Sequence, residues 1–196
     1  MSVKPILFNT EMVQAILDGR KTQTRRVIKP QPVKEGVFWR LGHAGWSMDD
    51  RVTPVYGHSL YNRMPYKPDD VLWVRETWSE VSHSFVDEIL LVQTAVFHKY
   101  KTDFYDEMVP WKWKPSIHMP KEVARIFLKV TGVRLERLQA ICYPDVYAEG
   151  INEEYGSLTD FVELWDSIND KRGFGWESNP WVWVIEFERC GKPKEW

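Results

Sequence analysis

The chain has little cysteine: only Cys142 and Cys190 occur in 196 residues. They stand far apart and outside any metal-ligand spacing. This excludes a disulfide scaffold and a cysteine-based zinc site, and it points to a reduced, cytosolic protein. Net charge is nearly absent as well, with Lys+Arg 26 against Asp+Glu 28 and a formal charge of -2. No global basic field exists, so any contact with nucleic acid must come from a local patch. No apolar run is long enough to span a bilayer, and no signal-peptide pattern opens the chain. Internal repeats and low-complexity segments are lacking. His43, His58, His83 and His98 show no ligand spacing, so no metal and no cofactor are expected. At this length the expectation is one domain over residues 1–196 with one well-filled core.

What the chain has in excess is tryptophan, eleven in all. Such a number suits a small barrel whose gaps are filled by large rings, or a surface that stacks on flat ligands. The apolar pattern predicts an opening strand over residues 4–8. Asn9 or Thr10 then caps a helix whose apolar face is Met12, Val13, Ile16 and Leu17, and Gly19 ends it. Residues 29–67 are broken by prolines and carry only short strand-like pieces at 37–41 and 52–57. Residues 71–78 read as a strand with Leu72, Val74, Glu76 and Trp78 on one face, and Val71, Trp73, Arg75 and Thr77 on the other. Asp87 and Glu88 belong to no clear element, and 91–97 reads as a further strand. Ile126, Leu128 and Val130 alternate inward along 125–131. Pro144 opens a short helix that Gly150 ends. Ser157 and Asp160 form a capping box before the stripe Leu158, Phe161, Val162, Trp165 and Ile168. A strand at 181–187 closes the chain. Strands dominate, with helices interspersed, which favours an α+β barrel over a parallel α/β sheet.

The densest chemistry lies at residues 19–26, Gly-Arg-Lys-Thr-Gln-Thr-Arg-Arg, read as a loop directly after the first helix. Arg20, Lys21, Arg25 and Arg26 repel one another unless an anion or a carboxylate faces them. Permanently charged neighbours disfavour the protonated form of Lys21 and push its pKa down. A lysine so placed can act as a base, with Thr24 as the nearby nucleophile. The alternatives are a basic loop that binds phosphate without reacting, and a solvated structural loop.

Gly19, Lys21, Thr24 and Arg26 together match G-x-K-x-x-T-x-R after a strand and a helix. In this the chain resembles the ASCH family, a branch of the PUA-like β-barrels. Pro68-Asp69-Asp70 before the strand at 71 is similar to the family's turn-and-strand, and Ala148-Glu149-Gly150 is similar to its short-helix acidic motif. Arg75-Glu76-Thr77-Trp78 and Pro115-Ser116-Ile117-His118-Met119-Pro120 resemble segments of the longer, tryptophan-rich ASCH proteins of phages and prophages. The resemblance covers most of the chain apart from insertions at about 29–67 and 79–113.

The resemblance implies a PUA-like barrel that binds RNA or a modified nucleoside in the cytoplasm, the host's if the chain is phage-encoded. It also implies an activity, since one small bacterial ASCH branch removes the acyl group of N4-acetylcytidine with a lysine, a threonine and a glutamate. By motif position Lys21, Thr24 and Glu149 are similar to those three. In that scheme Lys21 takes the Thr24 proton and the threonine oxygen attacks the amide carbonyl. Glu149 protonates the leaving amine or activates water, and an arginine holds the oxyanion. The alternative is a non-catalytic module that engages nucleic acid or a protein.

Further binding residues are expected beside this set. Arg20, Arg25 and Arg26 form the candidate nucleic-acid patch. Glu76 is a rival acid that either points into the barrel toward Lys21 or a loop arginine, or is solvated at the barrel's end. Arg75 lies on the face opposite Glu76. Trp78, Trp111 and Trp113 are the candidate stacking platforms. Ser116 and His118 lack an identifiable third residue for a nucleophile triad. His118 is read first as a satisfied structural histidine, and otherwise as a stacking or hydrogen-bonding group.

Overall fold

The structure, a computed structural model, describes residues 2–47, 51–54, 56–86, 92–101, 112–152 and 156–194; for 81–86 and 92–99 it describes the backbone alone. The described residues form an α+β architecture of β1 (Val3–Leu7), α1 (Thr10–Leu17), β2 (Gln23–Val27), β3 (Val33–Glu35), β4 (Phe38–Leu41), β5 (Ala44–Ser47), β6 (Arg51–Val52), β7 (Val71–Arg75), β8 (Trp78–Val86), β9 (Val92–Tyr100), β10 (Phe127–Arg137), α2 (Tyr143–Ala148), α3 (Leu158–Asn169) and β11 (Trp181–Cys190). The main sheet has the order β1-β7-β10-β11-β2, with β6 pairing β10. Only β1 and β7 run parallel; the other ladders are antiparallel.

Strand alternation sorts the side chains of β7 and β10 as the pattern predicts, but Trp78, expected on the face of Leu72, joins the cluster of the opposite face because the strand breaks before it. Leu72 and Val74 enter the main core with Ile126, Leu128 and Val130. Val71 and Trp73 on the other face of β7 join a second cluster with Trp78, Met119 and Phe127. In α3, Phe161 and Trp165 are buried while Ile168 is exposed, so the apolar stripe turns away from the core at its C-terminal end. Asn9 accepts from the Met12 amide at 2.8 Å to cap α1, and Ser157 with Asp160 caps α3 reciprocally.

The 29–67 segment is not peripheral. β3, β4 and β5 form their own antiparallel sheet, and Leu41, Ala44, Trp46, Leu60 and Met64 belong to the main core. Trp39 and Trp46 each meet the fully buried Trp181 edge-on at 5.3 Å. Trp46, Trp73, Trp78, Trp165, Trp181 and Trp183 are all buried. Of the two readings of the tryptophan excess, gap-filling accounts for these six.

Four elements differ from expectation. The strand read over 71–78 breaks at Glu76 and Thr77, and Trp78 begins β8, which pairs with β9 in a separate two-stranded sheet. The piece at 52–57 contributes only Val52, in β6. The expected strand at 91–97 is β9, running on to Tyr100; its first residue, Leu91, lies outside the described residues, as do Asp87 and Glu88. The barrel is not closed by a ladder: among the described residues β1 pairs only with β7 and β2 only with β11. A single guanidinium bridges the two edges instead, with Arg26 Nη2 donating to the Leu7 carbonyl at 2.6 Å.

Candidate functional site

The segment after α1 is not a loop throughout. Residues 20–22 are irregular, and Thr24, Arg25 and Arg26 stand on β2, paired to Ile185, Val184 and Trp183 of β11. A run of polar residues can be a strand when both its faces meet partners, and here both do.

One face meets carboxylates. Arg25 has a fully buried side chain and reaches Glu136 at 2.5 Å, Asp145 at 3.0 Å and Glu149 at 3.0 Å. Arg134 joins Glu136 at 3.0 Å and Asp145 at 2.9 Å, and also pairs with Glu186. It donates to the Gln23 amide oxygen at 3.2 Å. Arg51 adds a contact to Glu136 at 3.0 Å. Burial would raise the Asp145 carboxyl, but Arg25 and Arg134 hold it below its ordinary value. Buried charges survive in this way, by meeting opposite charge and filling their lone pairs.

Lys21 belongs to the same network. Its side chain is fully buried and donates to Glu149 Oε2 at 2.9 Å and to the Glu149 carbonyl at 2.6 Å. The placement follows from α2, whose last carbonyls have no intrahelical partner. The Thr22 amide takes Ala148 O at 2.9 Å, Lys21 takes Glu149 O, and Arg20 takes Gly150 O at 2.8 Å. Cations at a helix C-terminus also suit its dipole. Gly150 makes the approach possible: its φ is +95°, and a Cβ there would lie 2.9 Å from Ala15 and 3.1 Å from Lys21. Burial pushes the Lys21 ammonium below its ordinary value; Glu149 pulls it back, and Arg26 and Arg25 push it down again. Burial is thus the leading cause of a shift that the sequence assigned to neighbouring arginines.

β2 also borders a cavity of about 360 Å³ between β1, β2 and α3. Thr24, Arg25, Arg26, Arg75, Tyr66 and Glu149 contribute polar groups to it, and Met12, Phe161, Trp165 and Ile168 apolar ones. Thr24 is buried. It shares the cavity with Glu149, and no direct hydrogen bond joins it to Glu149 or Lys21 in this structure. Arg26 lies against the Phe8 ring at 5.2 Å, and Tyr66 donates to Pro5 O at 3.0 Å.

The open basic patch expected at Arg20, Arg25 and Arg26 is not what the fold builds. Arg25 is consumed by three carboxylates, Arg20 pairs with Asp18 at 2.8 Å, and of these three arginines only Arg26 borders the cavity without a carboxylate partner. Of the two readings of Glu76 the structure shows the buried one, with Arg125 as a partner through two contacts of 3.0 Å, and not Lys21 or a cation of the 20–26 segment. The chain turns between β7 and β8, which carries Glu76 away from the cavity and leaves Arg75 in it. Trp78 is buried with the Lys114 ammonium 4.4 Å from its ring centroid, so it is no open stacking platform. Trp113 is partly buried, with Lys101 at 5.8 Å; Trp111 lies outside the described residues. His118 is exposed, and Ser116–His118 form a surface 3-10 turn whose Ile117 carbonyl accepts from Arg75. Both cysteines are free thiols.

Sequence reasoning missed Glu136, Asp145, Arg134, Arg125 and Arg172. The first three had a signal: Arg134 and Glu136 share a strand face two residues apart, and Asp145 sits in the first turn of the helix that ends at Glu149. Among the described residues no group of three His, Cys, Asp or Glu is placed to hold a metal ion, and no helix is long and apolar enough to cross a membrane. No protein-family model, no curated protein and no solved structure matches this chain.

Proposed function

We propose that the chain is an ASCH-type, PUA-like domain that takes RNA or a modified nucleoside, with a nucleobase seated in the cavity between β1, β2 and α3, and that it hydrolyses an acyl group from that base. The observation that carries this reading is the direct Lys21–Glu149 contact at 2.9 Å, with Glu149 and Thr24 bordering one cavity. A volume near 360 Å³ lies in the usual range of about 300–1,000 Å³ for small-ligand sites. The apolar rings of Phe161 and Trp165 suit a flat base.

The chemistry balances with these residues. The Thr24 hydroxyl gives its proton to Lys21, whose burial favours the neutral amine, and the threonine oxygen bonds to the amide carbon. The carbon–nitrogen bond then breaks as the proton taken by Lys21 passes through the Glu149 carboxylate, 2.9 Å away, to the leaving amine, which leaves Lys21 neutral and Glu149 ionised again. One water cleaves the acyl-threonine and restores the hydroxyl, so amide and water become amine and acid. Incubating the protein with N4-acetylcytidine should release cytidine. Lys21→Arg and Thr24→Ala should each lower turnover by at least about a hundredfold, since arginine does not give up its proton and alanine has no oxygen. Glu149→Gln should lower kcat more than it raises KM.

One observation favours a second reading, a non-catalytic binding module. Both Glu149 oxygens are occupied, Oε1 by Arg25 and Oε2 by Lys21, and Thr24 hydrogen-bonds to neither member of the pair. Clear binding of RNA or nucleoside with no turnover decides for that module.

A further inference from the structure

The cavity holds more positive charge than its surroundings neutralise. Arg25, Arg26, Arg75 and Arg172 border it against one carboxylate, Glu149. Glu149 is already shared by Lys21 and Arg25, and Arg25 also meets Glu136 and Asp145. The other three arginines meet neutral oxygens only. Arg26 donates to Leu7 O at 2.6 Å, Arg75 to Ile117 O, and Arg172 to the Asn169 side-chain oxygen at 3.3 Å. Among the described residues none of the three has a carboxylate partner.

A second observation points the same way. The Arg75 Nε is buried and has no acceptor. A buried donor left without an acceptor destabilises the folded state, more so when it is charged, and an incoming acceptor recovers that loss. Arg26 is affected too: burial pushes its guanidinium below its ordinary value, Tyr66 and Glu149 pull it back, and Arg172 pushes it down again. An anion in the cavity would relieve both.

The three cations come from three elements, β2, β7 and the turn after α3. A carboxylate offers two oxygens and is met by one guanidinium fork. A phosphodiester offers two free oxygens and a single charge. A phosphate monoester offers three terminal oxygens and up to two charges, which suits three forks converging from separate strands and turns. We infer that Arg26, Arg75 and Arg172 form a phosphate subsite, so that the ligand of this cavity is a nucleoside monophosphate in preference to a free nucleoside or an internal stretch of RNA. This rests on the nucleoside reading above for the base, but on separate residues for the phosphate.

The test is calorimetric titration of the full chain with cytidine, N4-acetylcytidine, the monophosphate of each, inorganic phosphate, and a short oligoribonucleotide without terminal phosphate. The monophosphates should bind at least about tenfold more tightly than the nucleosides, with an advantage that shrinks as salt rises. Arg172→Glu, at an exposed position, and Arg75→Gln should each bring the ratio of monophosphate to nucleoside affinity to about twofold or less. Nucleosides that bind as tightly as their monophosphates overturn the phosphate subsite and leave the nucleoside reading standing. Phosphate or monophosphates that bind in an Arg75-dependent way, with no measurable contribution from the base, support the subsite and overturn the nucleoside reading. An oligoribonucleotide that outbinds the monophosphates overturns the subsite, and so does an unchanged ratio in both variants.

Discussion

Arg25 and Arg26 are neighbours on β2 and carry the same charge, yet they live in opposite surroundings. Arg25 is enclosed by Glu136, Asp145 and Glu149. Arg26 is held by one backbone carbonyl across the open seam of the sheet and meets no carboxylate. What separates them is the partner each guanidinium reaches. Arg25 shares Asp145 and Glu136 with Arg134, so its charge is met by carboxylates although it also borders the cavity, while Arg26 borders the same cavity with no carboxylate partner. One strand thus supplies a structural cation and a ligand-facing cation within two residues. Composition alone ranks the two alike; partners distinguish them.

The sharpest way to break the comparison is to remove each arginine in turn. Arg25→Ala leaves Glu136, Asp145 and Glu149 crowded with fewer cations, in a region from which water is excluded. Removing one partner of a buried ion pair costs about 3–5 kcal/mol, because uncompensated charge remains behind. Urea unfolding should therefore place Arg25→Ala about 3–5 kcal/mol below the parent, the largest loss among these substitutions. A loss no greater than that of Arg26→Ala would mean that the two arginines are equivalent after all.

Between these extremes stands the pair of Asp70 with Lys4, at 2.8 Å, where the carboxylate is buried and the ammonium side chain is 36% exposed. Burial would raise the Asp70 carboxyl, but hydrogen bonds from Lys4, Ser2 and the Lys67 amide hold it at about 2. The folded value is below the unfolded one, so the stabilisation is complete above pH 3.8 and disappears as pH falls through about 2. Solvent around Lys4 screens the pair, which leaves about 1–2 kcal/mol at neutral pH. Asp70→Asn should cost that amount at pH 7, and the gap to the parent should close between about pH 4 and pH 2. A gap that persists at pH 2 would assign the loss to packing and not to charge.

Much of the scaffold was legible because apolar periodicity reports burial directly. The two faces of β7, the inward set of β10 and the cap of α3 follow from the spacing of Leu72, Val74, Ile126, Leu128 and Ser157. The site was less legible. β2 reads Gln-Thr-Arg-Arg-Val and looks like a loop, since its burial is by ion pairing and not by apolar contact. The partners of Arg25 lie more than a hundred residues downstream, so no local pattern announces them. In the sequence only the likeness to a family motif links Lys21 to Glu149; their contact depends on Gly150, just past the end of α2, lying against Lys21, a tertiary event. Glu76 shows the converse. Alternation left it either buried or solvated at the strand's end, and its partner was not legible, because the break after Arg75 redirects the chain toward Arg125.

The smallest effect is expected at Arg26, and it completes the contrast with Arg25. Arg26→Ala removes one hydrogen bond, to Leu7 O, and the contact with the Phe8 ring. A typical hydrogen bond contributes about 0.5–1.5 kcal/mol net, since water competes for both partners in the unfolded chain. Burial works against even that contribution. It disfavours the charged guanidinium by more than Tyr66 and Glu149 favour it, so its removal relieves a cost that the folded state carries. No carboxylate is left behind without a cation, which is the event that makes Arg25→Ala expensive. Arg26→Ala should therefore unfold within about 1 kcal/mol of the parent in urea. A loss of 3 kcal/mol or more would show that the Arg26–Leu7 bridge holds the seam between β1 and β2 together, and that the sheet depends on this one guanidinium where a ladder would otherwise close it.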